Sequence, residues 1–362
     1  MSAPAHHNQL VLLPPNRVWR TYQGGRLLDI REGKPDPADT HFPEDWIAST
    51  TRAVNPTPAR LDEGLSTVLC GGESVAFAEL LARDPKWFFG EAHLARHGTD
   101  LRLLVKLLDP SIRLHFQVHP TAEFAQRFLN SRSGKTEAYH VISTRPEIAA
   151  PHIYLGFARP PTRDALRDMI ERQDIAALKA CFDPIPVKPG DTYVVPGGVP
   201  HALGAGVFLV EIQEPSDLVV RCEFERGGYV LPESARFMGR GLEFCLNIFD
   251  LSPWSAERVQ RAAACPPRRR RALGPDSWQD DLIGPERTPC FRVRRSEIRG
   301  PAVRPPDGPG IVLVTAGRCR VQTPADSHDF VTGDAFFIPA GLPALTITPD
   351  PTTALLECYP PA

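Results

Sequence analysis

The residues best placed to do chemistry begin with Gln117-Val118-His119-Pro120, where a spacing of two sets the Gln and His side chains on one face of a strand. Glu137 follows in Gly134-Lys135-Thr136-Glu137, and His201 in Gly197-Gly198-Val199-Pro200-His201. One amide oxygen, two imidazoles and one carboxylate form a mixed N/O donor set that suits zinc or another first-row divalent cation. Three strong ligands and one weak ligand leave room for a substrate oxygen. Structural zinc is more often closed by thiolates, and no cysteine stands beside any of the four.

Charges set inside apolar runs mark a second group of candidates. Arg221 lies in Leu218-Val219-Val220-Arg221-Cys222. A buried guanidinium cannot shed its charge, so it needs an anion, either a ligand or a structural partner such as Glu211 or Asp217. Lys106 is the only charge between Leu103 and Leu108, and its ammonium must pair, snorkel or titrate. Lys135 lies two residues before Glu137.

Short β-type runs must position these groups: 103–108, 113–118, 137–143, 152–157, 192–195, 207–213 and 218–224, each bounded by Pro, Gly or Asp as in an antiparallel barrel or sandwich. Two stretches read as helix. Residues 161–182 open on Thr162 as N-cap and carry the apolar stripe Leu166, Met169, Ile170, Ile175, Leu178; residues 233–248 carry Phe237, Leu242, Phe244, Cys245 and Ile248.

An internal match organises the rest. Residues 190–201 (GDTYVVPGGVPH) and 333–344 (GDAFFIPAGLPA) align at a constant offset of 143, sharing Gly190/Gly333, Asp191/Asp334, Pro196/Pro339, Gly198/Gly341 and Pro200/Pro343. They differ at His201 against Ala344. This pattern implies a duplicated barrel in which the second copy has lost an inward polar residue. Turn residues concentrate and apolar periodicity fades over 252–288, which is expected to be a linker, with Arg268-Arg269-Arg270-Arg271 as its solvated basic run. The domains expected are therefore 1–251, a barrel with an N-terminal cover and a helical insertion near 161–183, and 289–362, a degenerate second barrel.

Composition narrows the function classes. Proline, 39 of 362 residues or about twice its usual share, argues against a helical bundle. A formal charge of −2 leaves no large basic surface for nucleic acid or anionic lipid. No apolar segment is long enough to span a bilayer, and the first residues lack a signal peptide's pattern, so a cytoplasmic address is expected. The eight scattered cysteines form no C-x-x-C pair and read as reduced core thiols.

Taken in order, Leu104-Val105-Lys106-Leu107-Leu108-Asp109, Gln117-Val118-His119-Pro120, Gly134-Lys135-Thr136-Glu137, Val187-Lys188-Pro189-Gly190-Asp191, Pro200-His201-Ala202, Glu211-Ile212-Gln213 and Ser216-Asp217-x-Val-Val-Arg221 resemble the segments of the type I mannose-6-phosphate isomerases. The resemblance covers about residues 95–230, with weaker echoes in Gly24-Gly25 and Pro43-Glu44-Asp45-Trp46. It implies a mainly β fold of two cupin-like (jelly-roll) barrels. It also implies one Zn2+ per chain, or another divalent metal, on Gln117, His119, Glu137 and His201, and a catalytic arginine at Arg221.

The activity implied is the interconversion of mannose 6-phosphate and fructose 6-phosphate by proton transfer through an enediolate, with the metal as Lewis acid. Lys135, Glu211 or a water held by the metal could move the proton. Lys106, His115 and Asp217 are the candidates for holding a phosphorylated sugar. Two departures bear on substrate: His115 replaces a small hydroxyl residue two positions before Gln117, and Trp19-Arg20-Thr21-Tyr22-Gln23-Gly24-Gly25 replaces a tight Trp-Gly-Gly. The competing readings are an isomerase of another or unphosphorylated sugar, a cupin-type oxygenase using iron on His119, His201 and Glu137, and a non-catalytic sugar-binding module.

Overall fold

The strands that carry the candidate residues are largely apolar and buried on both sides, LVKLL at 104–108 and VFLVEIQ at 207–213, so each offers one side to one layer and the other side to the next. The computed structural model describes residues 6–56, 60–305 and 307–362. Among them the chain is mainly β, with three large antiparallel sheets.

A six-stranded sheet runs in the order Thr192–Val195, Glu137–Thr144, Val207–Gln213, Leu104–Leu108, Glu44–Ile47, Arg17–Val18. A five-stranded sheet runs Pro184–Pro186, His152–Leu155, His201–Leu203, Gln117–Val118, Val220–Arg221. Between them lies a core that includes Leu108, Tyr139, Val141, Ile153, Leu155, Leu203 and Leu209. Each such side chain contributes roughly 1.5–3 kcal/mol by leaving water, enough in sum to carry a few buried charges.

The other face of the six-stranded sheet (Val105, Leu107, Ala138, Val194, Val210, Ile212) packs against an eleven-stranded sheet through Ile311, Leu313, Phe337 and Leu356. The alternate residues of that third sheet, among them Val312, Phe336, Ile338 and Leu355, turn the other way into a separate core. The repeat seen in the sequence is repeated in space. Thr192–Val195 and Ala335–Ile338 are both strands, and both follow a glycine in left-handed backbone, Gly190 at φ 91° and Gly333 at φ 100°.

The stretch 252–288 is not a linker. It holds a helix, Ala256–Ala262, and two strands, Arg268–Gly274 and Ser277–Ile283, of the eleven-stranded sheet. The four arginines form its edge strand, facing carboxylates across the ladder and nearby: Arg269 Nε lies 2.8 Å from Asp280, and Arg271 reaches Asp307 at 2.5 Å. A charged edge resists pairing with another chain. The N-terminal strands Val11–Leu12, Thr67–Cys70 and Glu73–Ala76 also join this sheet, remote in sequence from the rest of it.

The insertion near 161–183 is two helices, Arg163–Arg172 and Ile175–Ala180. Thr162 caps the first as expected; left-handed Gln173 ends it and Asp174 caps the second. The helix expected over 233–248 is reduced to one four-residue turn, Leu242–Cys245, between 3-10 turns, because glycines 239 and 241 take positive φ in its middle. Of the runs 113–118 and 218–224 only Gln117–Val118 and Val220–Arg221 pair as strand, since the Phe116 N–H donates to the Glu223 side chain at 2.8 Å and not to a neighbouring strand. Two helices in the N-terminal segment, Phe77–Arg83 and Pro85–His97, lacked a sequence reading, although Asp84-Pro85 is a standard N-cap and first-turn pair. All eight cysteines are free and seven are buried.

Candidate active site

Strand register assembles the site. In the five-stranded sheet His201, Gln117 and Arg221 stand side by side in one cross-strand row. In the six-stranded sheet Trp46, Lys106, Glu211, Tyr139 and Tyr193 form another row, with Glu137 one pleat further along the strand of Tyr139. The two rows face each other across the cleft.

Glu137 is 0% exposed, and its carboxylate lies 3.3 Å from His119 Nε2 and 3.2 Å from His201 Nε2. The Gln117 amide nitrogen lies 3.3 Å from His201 Nε2, so the oxygen would face a cation there only with the amide turned over. Both imidazoles are oriented from behind: His119 Nδ1 donates to the Leu218 carbonyl and His201 Nδ1 to the Val199 carbonyl, each at 2.8 Å. That tautomer leaves each Nε2 lone pair facing the centre. Four donors bound tetrahedrally to zinc would stand about 3.3 Å apart, close to the spacing of these contacts. Glu137 Oε2 is buried without a hydrogen bond, although Lys135 Nζ is 2.8 Å away. An orphaned carboxylate oxygen among two imidazole lone pairs fits a cation between them, and His119, Glu137 and His201 together meet the requirements of a buried three-residue metal site.

Charge around the centre is arranged to match. Burial and the Lys135 ammonium push His119 down to about 3, keeping it neutral. Burial opposes the Glu137 charge, but the Lys135 ammonium holds its carboxyl well below the ordinary range. Tyr139 donates its hydroxyl to Glu137 Oε1.

The adjoining cleft is lined by every remaining candidate: Arg221, Lys135, Glu211, Lys106, His115 and Asp217. Several are already committed. Lys106, 2% exposed, lies 2.9 Å from Glu211, 3.7 Å from Glu44 and 4.5 Å from the centre of the Trp46 ring. Asp217 accepts two hydrogen bonds from Arg20, at 3.0 and 3.1 Å, and one from the Val54 N–H at 2.8 Å, so it positions Arg20 and has little left for a ligand. His115 donates Nδ1 to the Glu223 carbonyl at 3.0 Å, and burial beside Arg221 pushes it down to about 3, so a protonated His115 does not face the cleft at neutral pH.

Arg221 is different. It is 6% exposed, donates to the Ala235 carbonyl at 2.8 Å, and among the described residues has no carboxylate within salt-bridge distance. The structural partners expected for it, Glu211 and Asp217, pair instead with Lys106 and Arg20. Burial and the neighbouring Arg20 push its guanidinium down to about 10. A buried cation facing a cleft with no anionic partner is a receptor for an anion.

Sequence reasoning passed over Arg20, Glu44, Trp46 and Tyr139. Glu44 accepts from Tyr22 and from the Trp46 indole, each at 2.7 Å, and draws Arg20 and Lys106 together. Its signal was a carboxylate inside a short aromatic strand, Glu44–Ile47, buried at all four residues.

No family model matches the chain. A mannose-6-phosphate isomerase of Bacillus subtilis (strain 168) is 38% identical over 124 residues, covering 34% of this chain and 37% of that protein. One from Streptococcus mutans is 29% identical over 244 residues, covering 66% of this chain and 68% of its own length. The crystal structure of the mannose 6-phosphate isomerase from Bacillus subtilis superposes with a TM-score of 0.75 over 97% of this chain and 99% of that one, at 22% identity. The fold is that of the phosphomannose isomerases. A phosphomannose isomerase from Salmonella typhimurium agrees, with a TM-score of 0.70 over 98% of this chain and all of its own at 14% identity. A further match, with a TM-score of 0.69, is a mannose 6-phosphate isomerase bound with zinc and yttrium. The resemblance read from the sequence therefore stands, and no helix among the described residues is long and apolar enough to cross a membrane.

Proposed function

We propose that the protein is a metal-dependent aldose–ketose isomerase that interconverts mannose 6-phosphate and fructose 6-phosphate, with the chemistry confined to the cleft between the five- and six-stranded sheets. The observation that carries this reading is the cluster of buried His119, Glu137 and His201 with half-buried Gln117, in which Glu137 Oε2 has no hydrogen bond, beside the guanidinium of Arg221, which has no carboxylate partner among the described residues. One zinc ion held by the quartet would supply Lewis acidity to the sugar's carbonyl and C2 oxygens. Relatives and solved structures named for this activity support the choice of substrate.

The chain's own residues account for the remaining steps. Arg221 stabilises the negative charge that develops on the enediolate, in a dry site where such a contact has its largest effect. Glu211 moves the proton between C1 and C2: burial raises its carboxyl above the ordinary range, while Lys106 at 2.9 Å fixes its position. Lys135, 2.8 Å from Glu137 and hydrogen-bonded to His119 Nε2 at 2.9 Å, is already paired within the quartet and acts there as a positioning residue. Lys106 and Asp217 act as positioning residues, and neutral His115 shapes the wall of the cleft.

A panel of aldoses tests the assignment. Mannose 6-phosphate should be isomerised with a kcat/KM at least 100-fold above that of mannose, about 2.7 kcal/mol of transition-state binding. Equal rates on the two sugars would overturn the phosphate requirement, and tightly held iron with oxygen uptake would overturn the isomerase.

A further inference from the structure

A second convergence of ligand atoms lies outside the cleft. His6 and His7 both direct Nε2 at the same oxygen, Asp84 Oδ2, at 3.5 and 2.8 Å. All three ligand atoms lie within 4.8 Å of one another. The two contacts bracket the roughly 3.3 Å separation expected of donors around tetrahedral zinc. The side chains are 16%, 23% and 28% exposed, so the cluster is shielded but open on one side.

Packing holds it in place. His7 stacks on Trp87, with ring centroids 4.1 Å apart, and His6 on Phe88 at 5.3 Å. The other Asp84 oxygen caps the helix Pro85–His97 by accepting from the Trp87 N–H at 3.1 Å, which fixes the carboxylate, while Oδ2 is hydrogen-bonded to His7 Nε2 at 2.8 Å. His6 Nε2 is buried and lacks a hydrogen-bond partner. A buried ring nitrogen aimed at a carboxylate oxygen it does not hydrogen-bond is the kind of defect that a cation removes. We propose that His6, His7 and Asp84 form a second metal site, for zinc or a similar borderline divalent cation, with one or more positions open to water. It staples the N-terminal segment to the helix Pro85–His97, just ahead of the strand Val11–Leu12 that joins the eleven-stranded sheet. Being more exposed than the quartet, it exchanges its ion faster.

The test is metal counting on the full chain, equilibrated in low-micromolar zinc, gel-filtered and measured by inductively coupled plasma mass spectrometry. The wild type should retain two zinc ions per chain. The His6→Ala/His7→Ala double variant and Asp84→Asn, which keeps the capping oxygen, should each retain one fewer while isomerase turnover is unchanged. In a chromogenic chelator the wild type should release zinc in a fast and a slow phase, with only the fast phase missing from the variants. A zinc count that is the same in the wild type and in both variants would overturn the site. Loss of that ion in His97→Gln instead would also overturn it, by locating the ion at His93 and His97, whose rings lie 5.0 Å apart near the other end of the helix. Because the readout is a difference of one ion, it stands apart from whether the buried quartet is loaded.

Discussion

The strands around the two copies of the sequence repeat share a ladder pattern and use it in opposite ways. In the first, Val195 pairs with Glu137 and Glu137 with Gln213; at the same register in the second, Ile338 pairs with Gly310, one residue ahead of the Ile311–Cys358 pair. One pleat along, Tyr193, Tyr139, Glu211 and Lys106 correspond to Phe336, Val312, Glu357 and Arg294. The position of the central carboxylate is thus a glycine, and a Cβ there would come within 2.9 Å of the Tyr359 ring that occupies the space. The position of His201 is Ala344, which is exposed.

The second acidic position survives but is closed off. Glu357 accepts from Ser296 Oγ at 2.5 Å, Gln279 Nε2 at 2.6 Å and Arg304 Nε at 2.8 Å, and from Tyr359. The difference teaches that reactivity here depends on leaving donors unsatisfied. The first half holds an orphaned carboxylate oxygen and an unpaired guanidinium, whereas the second satisfies its buried carboxylate with its own side chains.

His201→Ala, which gives the first half the residue of the second, should have the largest effect: a fall in kcat/KM of about 1,000-fold or more, about 4 kcal/mol, with loss of one bound zinc, read by coupled assay and metal analysis. Arg221→Ala should lower kcat by about 100- to 1,000-fold with the metal content intact, and Arg221→Lys should recover part of it, since a point charge replaces the fork. Glu357→Gln should leave kcat/KM unchanged and cost about 2 kcal/mol in urea unfolding, because it leaves Arg304 without its buried partner.

The same residue gives a pH test. Burial works against the Glu357 charge, but Arg304 and the hydrogen bonds from Ser296 and Tyr359 hold its carboxyl down to about 2, below its ordinary 4.5. A depressed carboxyl contributes stability that is fully present above pH 4.5 and is lost as pH falls through about 2. Wild-type stability should therefore fall more steeply than that of Glu357→Gln across that window, by urea melts at stepped pH. The smallest effect is expected at the edge strand, where Arg269→Ala should change stability by no more than about 0.5 kcal/mol.

Much of the site was legible because its residues announce themselves locally. A spacing of two joined Gln117 to His119, and the histidine lost at Ala344 marked His201. The single charge in each of two apolar runs marked Lys106 and Arg221. What each charge does was not legible, because partners come from remote strands: Asp217 is taken by Arg20, nearly 200 residues away, and only the fold shows that this leaves Arg221 free. The supposed linker failed for a related reason. Four arginines look solvated in sequence, and become a strand because Asp280 and Asp281 stand on the neighbouring one.

The central claim is that the quartet in the first half binds the metal the reaction needs. Its most direct test is the isomerisation of mannose 6-phosphate by the wild type, by the same protein stripped with a chelator, and by the stripped protein given one equivalent of zinc beyond any bound outside the cleft. The account predicts activity lost on stripping and restored by zinc, with Glu137→Gln showing neither the activity nor the restoration. Full activity in the stripped protein, or zinc-restored activity in Glu137→Gln equal to the wild type's, would contradict it.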